Sequence, residues 1–130
     1  MGGAAWTLSR VLVLFTAFAF FMIAIQVTMY HYRENFRHWS MYIPVITLPV
    51  LGVAGLLASF LNTPFLHAVD TVLLWLEAFG GLFGVYMHAR GVGVRVGGYE
   101  MRNFLTGPPV VLPFMIFAIS ILGLLAEYWG

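Results

Sequence analysis

Cysteine is absent from the 130 residues, which excludes disulfides, thiolate metal sites and redox thiols. Lysine is absent too, so all six cations are arginines. Charged residues make up only 8% of the chain, against about 25% in a soluble globular domain. Such a shortage leaves no basic cluster of the kind that binds nucleic acid. The chain also lacks a Ser/His/Asp set, a metal triad and a phosphate-cradling loop, so it points to no enzymatic activity of its own. The Gly91-x-Gly93 pair follows no strand and carries no dinucleotide-binding meaning.

What the chain does have is apolar length. Hydrophobic residues are 62% of the total, 22 residues are aromatic, and mean hydropathy is +0.93. Apolar runs at 11–29, 41–60, 66–86 and 110–126 each approach the ~20 residues that a bilayer core requires. The first run continues past its small-x-small site through Phe20, Phe21, Met22 and Ile23, so it reads as a retained span and not a cleaved signal. The expected fold is an all-α integral membrane protein, one four-transmembrane-helix bundle with spans at about 6–30, 41–61, 64–89 and 108–128. Thr63 and Pro64 are placed to cap and open the third helix. The stretch 89–107, with Gly91, Gly93, Gly97 and Gly98, reads as an irregular loop.

The third span alone carries carboxylates in its interior. At helical spacing Asp70, Leu74, Glu77, Gly81, Gly84 and His88 share one face. An acid facing hydrocarbon costs at least several kcal/mol, so this face must turn toward protein. On the second span Gly52, Gly55 and Ser59 form a small-residue face suited to close helix contact. The two halves of the chain also echo each other. His31-x-Arg33 and His88-x-Arg90 each end an odd-numbered span, and Pro44/Pro49 is matched by Pro108/Pro113. Two hairpins related by an axis along the membrane normal would give that pattern. Arg33, Arg37, Arg90, Arg95 and Arg102 fall on one side and Arg10 on the other. By the positive-inside rule the Arg-rich loops are cytoplasmic and both termini lie opposite, in a plasma or inner membrane.

Three functional readings follow, since no motif assigns the chain to a family. The first is a small subunit that packs into or anchors a larger membrane complex, respiratory or redox in kind, through other membrane subunits or self-association. The second is a single-haem b electron-transfer protein. In that reading His31 and His88 are the iron ligands, Gly81 and Gly84 leave room for the macrocycle, and Arg33 and Arg90 meet its propionates. His38 is an alternative ligand, Glu34 and Glu100 are candidate partners for the outer ring nitrogens, and His67 is an interfacial histidine. The third is a proton-coupled transporter or channel centred on Glu77, with Asp70 on the same path. The absence of cysteine makes the topology directly testable. Single cysteines at Asn35 and Gly97 should be labelled by an impermeant maleimide from the same side of the membrane; labelling from opposite sides would overturn the four-span arrangement.

Overall fold

The computed structural model describes residues 5–129. Among these the chain is all-helical, with four helices long and apolar enough to cross a membrane. They are α1 (Leu8–Arg33), α2 (Tyr42–Leu61), α3 (Pro64–Gly91) and, after a short α4 (Met101–Thr106), α5 (Val111–Trp129). At 1.5 Å per residue, the 26 residues of α1 extend about 39 Å and the 19 of α5 about 28 Å.

Local chemistry sets the boundaries. Thr7 caps α1 by accepting from Arg10 N (3.2 Å), and Thr63 caps α3 by accepting from Leu66 N (3.2 Å). Pro64 holds the first position of α3, where its missing N–H costs nothing. Between α2 and α3, Asn62 adopts the left-handed conformation (φ 54°) and reverses the chain. At the end of α1 both Asn35 and Phe36 have positive φ (59° and 46°). Such backbone is costly for a bulky residue. The Phe36 ring stacks on Tyr42 at 4.5 Å with the planes 12° apart, a contact that offsets part of that cost.

The stretch 89–107 is more helical than its glycine content predicts. α3 runs on to Gly91, a π-helical turn follows at Val92–Val96, and α4 occupies Met101–Thr106. Gly91 lies under the Arg95 guanidinium and Gly93 under the Tyr99 ring, so these two glycines serve close packing within a helical path. Only Gly97 and Gly98, at φ 103° and 131°, use the conformations that glycine permits.

α1 packs on α2 and α5, and α3 packs on α2 and α5, leaving α1 and α3 across the diagonal of the bundle. Phe20, Ile23, Leu48, Leu51, Leu74, Ile116 and Leu124 form the central core. Around it the distribution is reversed from that of a water-soluble protein. Phe15, Met22, Ile25, Phe60, Leu76 and Phe79 point outward and exposed, whereas Arg10, Thr16, Ser59, Asp70, Glu77 and Ser120 are buried. Small residues bring the helices together. A Cβ on Gly55 would stand 2.9 Å from the Ala17 Cβ of α1, and one on Gly52 would stand 2.8 Å from the Phe21 ring. On α3 a Cβ at Gly81 would meet Phe117 N at 2.8 Å, and one at Gly84 would meet the Pro113 Cβ at 2.8 Å. A leucine cannot be seated against the rigid Pro113 ring without moving α5. Gly84→Leu should therefore lower stability by about 1–3 kcal/mol through overpacking, read as a depressed Tm in detergent; an unchanged Tm would show that α3 and α5 do not meet here.

Candidate functional site

The Arg-rich end of the bundle lines a partly open cavity of about 1160 Å³, above the ~300–1,000 Å³ of pockets that hold drug-sized ligands. α1 and α3 run in the same direction and end together there, which carries their terminal histidines to one depth on opposite sides of the diagonal. The His31 and His88 ring centroids are 6.4 Å apart with the planes at 62°. His31 is only 9% exposed.

Each ring is fixed from behind by backbone. His31 Nδ1–H donates to the Met41 carbonyl (2.7 Å), and His88 Nδ1–H donates to the Pro109 carbonyl (2.8 Å). Met41 closes the 3₁₀ turn Trp39–Met41 that leads into α2, and Pro109 lies in the lead-in to α5. In the neutral ring this bond places the proton on Nδ1 and leaves the Nε2 lone pair free. The Phe36 ring stands edge-on to His31 at 6.2 Å and closes that flank. Glu34 and Glu100 do not hold the histidine rings in this structure. Glu34 pairs with Arg37 (2.7 Å) and Glu100 with Arg102 (3.1 Å). His38 borders the cavity but is exposed and turned to its own loop, with Nδ1 2.7 Å from the Ser40 hydroxyl.

Arg33 and Arg90 border the cavity, joined by Arg37 and Arg95. Gly81 and Gly84 also border it, but the room they leave is taken by Phe117 and Pro113 of α5. Gly80, which the sequence reading passed over, is the bare position: a Cβ there would find only Glu77 Oε2, at 3.9 Å. Glu77 lies deeper on the same wall, its Oε1 accepting from the Thr47 hydroxyl at 3.3 Å. Between Glu77 and Asp70 on this face of α3 stands Leu74, fully buried against Gly123. The described residues thus form no continuous polar line from Glu77 to Asp70.

Asp70 belongs to a second polar group at the far end of the bundle, which sequence reading did not assemble. His67 Nδ1 is 2.6 Å from Glu127 Oε1, and its Nε2–H donates to Asn62 Oδ1 at 2.8 Å. Arg10 is 6% exposed and donates through Nε to the Ser59 carbonyl (2.6 Å) and through Nη2 to the Phe60 carbonyl (3.1 Å). It thereby caps the carbonyl end of α2 with a cation, as the helix dipole favours. The available signal was positional: Arg10, Asn62, His67 and Glu127 all fall at the same end of their spans.

Among the described residues no cluster of three or more His, Cys, Asp or Glu side chains is arranged to hold a bare metal ion. No protein-family model, curated protein or solved structure matches the chain. Two neighbouring imidazoles, each with its Nδ1–H engaged by backbone, could together hold a metal whose remaining bonds come from a bound cofactor. Two metal–nitrogen bonds of about 2.0–2.1 Å, with roughly 1.1 Å from each nitrogen to its ring centre, place such rings about 6.2–6.4 Å apart. The separation of His31 and His88 is of that size.

Proposed function

We propose that this chain is an integral membrane protein that holds one haem b between His31 and His88 and conducts single electrons through it. The observation that carries the reading is the paired histidine geometry. Two rings lie at a two-bond separation, and each directs its Nδ1–H to a backbone carbonyl. Hydrogen bonding of the outer nitrogen is the usual second shell of a metal-binding histidine: it fixes the tautomer and raises the basicity of the ligating nitrogen. A six-coordinate bis-imidazole iron supplies one-electron exchange with no open position for substrate. Arg33, Arg37, Arg90 and Arg95 surround the cavity, where guanidinium groups pair well with two propionate carboxylates. The bare backbone at Gly80 and the open space beside it suit a flat ring.

The outward-facing aromatic and aliphatic surface supports insertion of the four long helices into a bilayer. Positive-inside reasoning then puts the Arg-rich cavity end on the cytoplasmic face. A single redox centre needs both a donor and an acceptor of electrons. That requirement suits a subunit within a larger membrane redox complex, and Glu77, barred from Asp70 by Leu74, supports a transport path less well.

Protein purified in detergent from haem-replete cells should show a low-spin Soret band. His31→Ala or His88→Ala should abolish or shift it, and His67→Ala, at the other end of the bundle, should leave it intact. Colourless wild-type protein that also fails to take up added haemin would overturn the assignment.

A further inference from the structure

The polar group at the end of the bundle away from the cavity has a chemistry of its own. Asp70 is 2% exposed, and the Glu127 side chain is equally covered. Asp70 Oδ2 and Glu127 Oε2 are the buried side-chain oxygens, among the described residues, that no donor N–H or O–H reaches. His67, one turn before Asp70 on α3, holds Glu127 Oε1 at 2.6 Å, which sets the two carboxyls beside each other. Two carboxyl groups can bond to each other only through a proton that one of them carries, because an ionised carboxylate is an acceptor only. Without that proton, like charges would face each other in a site buried from solvent.

The surroundings leave one ionisable route out of this pair. On the α1 side stands Arg10, engaged with the carbonyls at the end of α2. From α2 the neighbours are Gly55, whose Cβ position lies 3.6 Å from Asp70 Oδ1, and Ser59, whose hydroxyl donates to the Leu56 carbonyl. Leu74 blocks the way along α3. The remaining neighbour is His67, with Nδ1 against Glu127 and Nε2 against Asn62 in the α2–α3 turn. The His67 side chain is 12% exposed, the most open member of the chain of contacts. An imidazole so placed can accept a proton on one nitrogen and release another from the opposite one.

We propose that Asp70 and Glu127 form a proton-binding site, filled and emptied from the end of the bundle that bears the α2–α3 turn, with His67 as the relay. In release, the proton that Glu127 Oε1 holds against His67 Nδ1 passes to that nitrogen, while the proton shared with Asp70 stays between the carboxyls. The imidazolium so formed loses its Nε2 proton to water beside Asn62, and uptake reverses each step. Release leaves the pair with only the shared proton and a single negative charge. The proposal is independent of any cofactor at the other end of the bundle.

Infrared spectroscopy of the full chain in detergent tests it, with Glu77→Gln as the reference protein so that the Glu77 carboxyl does not contribute. At neutral pH the reference should show the C=O stretch of a protonated carboxylic acid, shifting promptly on transfer to heavy water. Asp70→Asn or Glu127→Gln should remove or displace that band. His67→Phe should keep the band and slow its deuterium shift on the order of a hundredfold, the contribution of a positioned acid–base group. No such band in the reference protein would overturn the site before any of its residues is altered. A band untouched by both carboxyl substitutions would overturn it as well, and an unchanged exchange rate in His67→Phe would overturn the relay.

Discussion

Every polar side chain deep in these helices has to find its partner inside the bundle, and the architecture follows from that constraint. In hydrocarbon an unpartnered polar group has no water to turn to. Arg10 accordingly spends its guanidinium on the last carbonyls of α2, and Ser120 and Thr16 return their hydroxyls to their own helices. For helices surrounded by lipid tails, the hydrophobic effect gives no reason to associate. Close contact has to do that work instead. Gly52 and Gly55 let α1 reach α2, and Gly81 and Gly84 let α5 reach α3.

Apart from Glu77 and hydroxyls bonded within their own helices, the buried polar groups gather toward the two ends of the molecule, with apolar side chains between them. At one end two histidines, backed by carbonyls, face each other beside a cavity ringed with arginines. At the other end a histidine, an asparagine and two carboxyls gather in one buried group, near an arginine bonded to the end of α2. The separating layer comprises Phe20, Leu51 and Leu74, each 2% exposed or less. Such a layer insulates: a charge change at one end is not relayed to the other by any side-chain hydrogen bond among those described. The two ends can therefore carry unrelated chemistry.

The four long helices were legible because run length is a one-dimensional property. So was the meeting of His31 and His88, because helices separated by one intervening span run parallel and end at the same depth. The Thr63–Pro64 start and the small-residue face of α2 likewise follow from local rules. Less could be read where partners come from distant segments. The carbonyls of Met41 and Pro109 are invisible as supports for the two histidine rings because every residue has a carbonyl. The Glu127–His67–Asn62 group joins residues up to 65 positions apart, and charges near span ends ordinarily read as interfacial. Gly80 was overlooked because its neighbours Gly81 and Gly84 fall on the acid-bearing face, yet those two serve α5. The π-helical turn after Gly91 escaped notice because four glycines in eight residues outweigh, in any local reading, the packing that Arg95 and Tyr99 provide.

The bond from His31 to Met41 turns the connection between α1 and α2 into a closed ring of chain, fastened by a side chain at one end and a peptide at the other. Surface connections usually accept insertions at small entropic cost. This one is different, because its length fixes where the Met41 carbonyl arrives and so the direction in which the imidazole points. Asn35 and Phe36, bent into left-handed backbone, shorten the path to that end. The loop thus acts as a gauge for the ring: its length sets where the imidazole points, and residues that never approach the cavity become as constrained as those that line it.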